Sequence, residues 1–105
     1  MEGDDLLHIT TPGAWAAARE AGEVVPGSLA TEGFVHCSTR DQLAGTLARH
    51  FAGAGDLLVL VLDPGALTAD LRWEEARPGE AYPHVYGPIP VAAVVSVEPV
   101  TAPEG

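Results

Sequence analysis

The sequence predicts an α+β fold, because its elements run strand, helix, strand, helix and then several strands, an order that argues for a mixed or antiparallel sheet. Three observations carry this. An alanine-rich run, Gly13 to Ala21, is framed by Thr11-Pro12 and Gly22; Leu43, Leu47, His50 and Phe51 mark a second helical face; and the C-terminal half is built of short apolar runs punctuated by Pro and Gly. The 105 residues, 47% hydrophobic and 19% charged, suffice for a single small domain with one core and resemble neither a disordered nor a low-complexity chain.

Leu6 to Thr10 is short, apolar and alternating, a strand pattern, and Thr11 followed by Pro12 supplies a helix cap and a first helical residue. Trp15 is the one large anchor of that helix, and Gly22 is placed for a left-handed cap. Pro26 to Glu32 reads as a connecting stretch. Gly33 to Ser38 reads as the second strand, and Thr39-Arg-Asp-Gln42 matches a capping box that opens the second helix. Gly53 and Gly55 end it. Leu57 to Asp63 is expected as a central buried strand, Asp63-Pro-Gly as a turn and Leu71 to Glu75 as a short strand. Arg77 to Pro83 reads as a loop, His84 to Tyr86 as a brief strand, and Val91 to Val100 as a closing valine-rich strand. The ends, Met1 to Asp4 and Thr101 to Gly105, read as frayed tails.

Fifteen acidic residues against five basic ones give a formal net charge of -10, and the five are arginines at 19, 40, 49, 72 and 77. A body so negative is repelled by nucleic acid and anionic membranes unless it carries a dense basic stripe, and none exists; no nucleic-acid or membrane partner is expected. The absence of lysine removes Schiff-base chemistry. The single Cys37 has no internal disulfide partner, and Met-Glu-Gly-Asp-Asp is no signal peptide, so a cytoplasmic location is expected. Leu57 to Leu62 is the longest apolar run, far short of a membrane span.

Residues two apart in a strand share a face, and four candidate strands each present a polar pair at that spacing: His8/Thr10, His36/Ser38, Arg72/Glu74 and His84/Tyr86. Their opposite faces carry Leu7/Ile9, Val35/Cys37, Leu71/Trp73 and Val85. Solvated strand faces are polar in any case, but they favour Lys, Glu, Thr and Gln, whereas three of the four histidines fall here. This pattern points to a cleft lined by proton-handling groups. His50 lies on the apolar stripe of the second helix and reads as a packed or snorkelling histidine, Cys37 as a small buried hydrophobe, and Trp15 and Trp73 as core anchors. His8, His36 and His84 are widely spaced with no paired ligand motif, so no metal is expected; no phosphate-cradling glycine loop or Gly-x-Ser-x-Gly elbow is present.

His8-Ile-Thr, Trp15 in an alanine-rich helix, Gly33-Phe-Val-His-Cys-Ser-Thr39, Leu71-Arg-Trp-Glu74 and Pro83-His-Val-Tyr-Gly-Pro88 together resemble the bacterial family known as domain of unknown function 952, over about Leu6 to Val100. That family is grouped by fold with the ADP-ribosyltransferases, whose small split sheet binds NAD in a cleft lined by a first-strand histidine. The resemblance implies a split sheet with two N-terminal helices and NAD as a possible substrate. It would place His8 at the nicotinamide-side ribose with Thr10 beside it, and His36 at the second motif position. Glu74 and Tyr86 are both candidates for the third, where the transferases carry a glutamate. The glutathione-transferase label of some relatives does not suit a 105-residue chain.

The leading expectation is therefore a cytoplasmic, ADP-ribosyltransferase-like enzyme acting on NAD or a related ribosyl substrate, with a small molecule or protein as acceptor. His8 and His36 would orient ribose and diphosphate, Ser38 and Tyr86 would bond the leaving base, Glu74 or His84 would handle protons, and Arg72 would meet an anionic group. Two alternatives stand beside it. One is a metal-independent general acid-base enzyme, a lyase, isomerase or hydrolase, in which His36 and His84 form the proton-handling pair; the other is a non-catalytic ligand-binding module. A monomer or small homo-oligomer is expected.

Overall fold

The first strand, β1 (Leu6–Thr10), passes through Thr11 into α1 (Pro12–Ala21). Thr11 Oγ1 accepts the Ala14 N–H at 3.1 Å, and Gly22, at φ 89°, closes the helix by donating to the Ala18 carbonyl at 2.8 Å. Both caps lie where the sequence put them. The computed structural model describes residues 5–104, so the tail expected at Met1 to Asp4 lies outside the described residues, as does Gly105.

The next segment departs from expectation. After β2 (Glu23–Val24), the stretch read as a connection folds into α2 (Gly27–Glu32), which Gly33 ends at φ 88°. The described chain thus has three α-helices rather than two. Strand β3 is only Val35–His36, shorter than Gly33 to Ser38, because the backbone beyond it turns to a different neighbour. The capping box is real: Thr39 Oγ1 accepts the Gln42 N–H at 3.3 Å, and Gln42 Oε1 accepts the Thr39 N–H at 3.0 Å, just before α3 (Leu43–His50).

Strand β4 (Asp56–Leu62) is the central apolar strand, followed by β5 (Leu71–Arg77) and β6 (Glu80–Val85). Most of the loop expected at Arg77 to Pro83 is therefore strand, with a tight turn at Pro78-Gly79. Pro83 sits in a middle strand, where proline is normally excluded. It is tolerated because its carbonyl accepts the Cys37 N–H at 3.0 Å, so its missing N–H faces the side on which β3 has already ended. Two-residue β7 (Ile89–Pro90) pairs with β2, and β8 (Val94–Thr101) closes the chain. The C-terminal tail is tied down rather than frayed: Thr101 pairs with Asp56, Ala102 is buried, and the Pro103 carbonyl accepts the Gly53 N–H at 2.7 Å.

Two three-stranded halves result, β8–β4–β1 and β3–β6–β5, in those spatial orders and with every described pairing antiparallel. They meet at one bridge, where Leu7 and Ser38 exchange backbone hydrogen bonds of 2.8 Å each. One apolar cluster, including Leu6, Val35, Cys37, Leu60, Val85 and Ile89, packs under α1; a second, including Leu7, Ile9, Leu57 and Val59, packs under Leu47 of α3. Strands β1 and β4 are thus covered on both faces, which is why Leu57 to Leu62 shows no polar alternation. Leu7 and Leu60 are 0% exposed, and each such side chain contributes about 1.5–3 kcal/mol by leaving water. Trp73, expected as a core anchor, is instead 52% exposed, because β5 is the edge of its half. No described helix is long and apolar enough to cross a membrane.

Candidate functional site

Cross-strand register builds the site. His36 of β3 lies opposite His84 of β6, which lies opposite Arg72 of β5, while Glu74 lies opposite Tyr82. Side chains paired in this way share a face, so three of the four predicted pairs contribute to one surface: His36, Arg72/Glu74 and His84/Tyr86. Phe34 joins them. Its ring stacks on His84 at 4.1 Å between centroids, meets His36 edge-on at 4.8 Å and lies 5.4 Å from Tyr86.

Glu74 is the hub. Its Oε1 accepts from the Tyr86 hydroxyl at 2.5 Å and from His84 Nδ1 at 2.8 Å. The Tyr86 hydrogen bond first, and the His84 bond second, hold the Glu74 carboxyl below its ordinary range. The same short bond pushes the Tyr86 phenol upward, since its proton is held by the carboxylate. A carboxylate can only accept, so Nδ1 of His84 carries a hydrogen, and in the neutral ring Nε2 carries the lone pair. His84 is 5% exposed, and Nε2 is buried without a hydrogen-bond partner among the described residues. In the neutral ring that nitrogen is a buried acceptor, and an unpaired buried acceptor is costly.

The rest of the face surrounds this pair. The Arg72 guanidinium lies 4.6 Å from the Tyr86 ring centroid and 3.4 Å from Asp70 Oδ2. His36 Nε2 reaches the Glu32 carboxylate at 3.1 and 3.2 Å, a contact made possible by α2, and its ring stands edge-on to His84 at 5.4 Å. Two half-exposed imidazole and carboxylate groups thus flank a buried imidazole.

His8 and Thr10 do not share that face. At the Leu7–Ser38 bridge an odd-numbered residue of β1 stands beside even-numbered Ser38, two residues beyond His36, so Leu7 and Ile9, not His8 and Thr10, continue the face of His36. His8 points into the apolar layer of Leu60 and Cys37, is 7% exposed, and donates its Nδ1–H to the His36 carbonyl at 2.8 Å. Burial lowers its pKa, and the carbonyl opposes this only in part, so the ring is neutral near pH 7. Thr10 lines a separate cavity of ≈ 300 Å³ with Trp15 and Val24. Ser38 is on the expected face but is buried and hydrogen-bonded to Thr46 at 3.0 Å. Cys37 is buried as expected, its thiol pushed up to about 12 by that burial.

The family model described as Protein of unknown function (DUF952) matches residues 9–97. The chain belongs to that family. Protein CC0527 from Caulobacter crescentus, solved by X-ray crystallography, is 30% identical with a TM-score of 0.81, over 92% of this chain and 84% of that one. Its solution NMR structure gives 30% identity and a TM-score of 0.76, over 90% and 82%. No curated protein matches the chain.

In this DUF952 member a cleft of ≈ 420 Å³ opens beside His36, between α3 and the β1–β3 junction. Glu32, Thr46, His50, Phe51 and Tyr82 line it with Leu7, Ile9 and Ser38. Sequence reasoning passed over most of these. Phe34 had a signal, being two residues before His36 on the same face; Tyr82 had the same relation to His84 but fell in a stretch read as loop. Glu32 and His50 came from a stretch read as a connection and from a helix stripe read as core, and the tertiary fold turns both toward the cleft.

Proposed function

We propose that this DUF952 protein is a small-molecule enzyme working by general acid-base catalysis, with His84 Nε2 as base. The observation that carries the reading is the division of labour on one ring: Glu74 holds Nδ1–H at 2.8 Å, while Nε2 is buried without a partner among the described residues. A substrate O–H or C–H presented to Nε2 gives up its proton there, and the imidazolium that forms is stabilised by Glu74. Tyr86 fixes the carboxylate by donating to its Oε1, so it is a positioning residue. His36, edge-on to His84 and bonded to Glu32, is placed to return a proton to another substrate atom. Phe34 seals the pair from water on its stacked side.

The test is an NMR screen of hydroxy, keto and ester metabolites for conversion or solvent-proton exchange, run on the wild type, Glu74→Gln, His84→Gln and His8→Asn. Conversion should drop by on the order of 10²–10⁴-fold in the first two variants and persist in His8→Asn. Full-rate conversion by His84→Gln would end this reading.

A second reading is favoured by the sheet itself. Two three-stranded halves meeting at a single bridge make a split sheet of the kind expected of an ADP-ribosyltransferase-like fold. In that case NAD is the substrate, and Glu74 steadies the positive charge developing at the anomeric carbon. His8, being buried and bonded to the His36 carbonyl, supports the wall of such a cleft rather than touching ribose. Saturable thermal stabilisation by NAD, lost in Glu74→Gln, would favour this alternative, since a ligand that binds only the native state raises its stability.

A further inference from the structure

We infer that the cleft beside His36 binds the uncharged apolar portion of the substrate, a ring or short branched chain carrying one hydrogen-bond acceptor. The inference rests on the acid-base reading for its link to His84, but the binding site itself is argued from the cleft. Its ≈ 420 Å³ is in the size range of small-molecule pockets. Leu7, Ile9 and Phe51 make the apolar floor, with Tyr82 as a buried aromatic wall.

Polarity enters at two points. Ser38 and Thr46 share one hydrogen bond at 3.0 Å, so whichever hydroxyl accepts in that pair keeps its own hydrogen for a ligand acceptor. At the mouth, His36, His50 and Glu32 face the solvent, and Glu32 carries the only fixed charge among the described residues lining the cleft. The Arg49 guanidinium lies outside the lining and is occupied in donating to the Tyr82 hydroxyl. A phosphoryl or carboxylate group seated here would meet a carboxylate and no free cation among the described lining residues, in a chain of net charge -10. His36 belongs both to this mouth and to the face of His84, so it is the residue that joins the cleft to the base.

The test is a titration of the 105-residue chain, followed by amide NMR shifts, with benzyl alcohol and with phenyl phosphate as probes. Benzyl alcohol should shift Leu7, Ile9, Ser38, Thr46 and Phe51 saturably, with a midpoint on the order of tenfold lower than that of phenyl phosphate. Thr46→Phe should fill the cleft and abolish those shifts, and the gentler Thr46→Val should weaken them several-fold. Shifts confined to Trp15 and Val24, or equal binding of the phosphate, would overturn the inference. Glu74→Gln separates the two ideas: it should erase turnover and leave benzyl alcohol binding intact, whereas loss of binding with turnover preserved would sink the cleft alone.

Discussion

His8 and His84 are almost equally buried, at 7% and 5% exposure, yet the two halves of the sheet treat an imidazole in opposite ways. In the β8–β4–β1 half, covered on both faces, His8 donates one N–H to a backbone carbonyl and is held neutral by the apolar layer around it. In the β3–β6–β5 half His84 instead donates to a carboxylate, while its second nitrogen has no partner among the described residues. The difference lies in the partner and not in the depth. A carbonyl fixes a ring in place; a carboxylate fixes it and also rewards the arrival of a proton at the far nitrogen.

The largest effect that would sharpen this contrast is on stability. Leu60→Ala, in the doubly covered half, should cost about 2–5 kcal/mol in urea unfolding, because the cavity it leaves is closed on both faces. Trp73→Ala, on the uncovered edge, should change stability by about 0.5 kcal/mol or less despite removing a larger side chain. Comparable losses from the two would dissolve the distinction between the halves.

Acid should act on the halves in separate windows. The folded value of His8 lies below its ordinary 6.5, so the native state binds fewer protons there than the unfolded chain does. Stability from this group is therefore intact above about pH 6.5 and falls as the pH drops, with a slope of up to ~1.4 kcal/mol per unit. Glu74, in the β3–β6–β5 half, has a folded value below 4.5 and adds its loss only beneath that pH. In His8→Asn, which keeps a donor for the His36 carbonyl, the stability profile from pH 6.5 to 4.5 should flatten; an unchanged slope would mean that His8 is not kept neutral.

A smaller effect concerns the hub. Removing the Tyr86 hydroxyl takes away the leading cause of the lowered Glu74 value, so in Tyr86→Phe the carboxyl should titrate closer to 4.5 by carbon-detected NMR. No upward movement would show that His84 alone holds the carboxylate.

Much of this architecture could be read from local signals. Thr11-Pro12, Gly22 and the Thr39/Gln42 box act within a turn of chain, and the apolar run of β4 reports burial on both faces; these were legible for that reason. Helix α2 was not, since Gly27 to Glu32 is too short to show a periodic apolar stripe. The β5–β6 hairpin was hidden by Pro78, Gly79 and Pro83, and the last of these is tolerated only because of where β3 stops. For the site, alternation within a strand correctly grouped His36, Arg72, Glu74, His84 and Tyr86. It could not say which face of β1 continues theirs, because that depends on the register at Leu7 and Ser38, a contact between distant segments.

That single bridge also sets an order of assembly. The β5–β6 hairpin needs only a two-residue turn to close, so the strands carrying Glu74 and His84 can meet within microseconds. Leu7 must find both Val61 and Ser38 across long stretches of chain, and such pairings are slow because the entropy of closing the intervening loops is lost before any contact compensates for it. In pulsed hydrogen exchange during refolding, the amide of Tyr82 should therefore gain protection well ahead of those of Leu7 and Ser38, and the reactive half would exist as a hairpin before the molecule has a joined sheet.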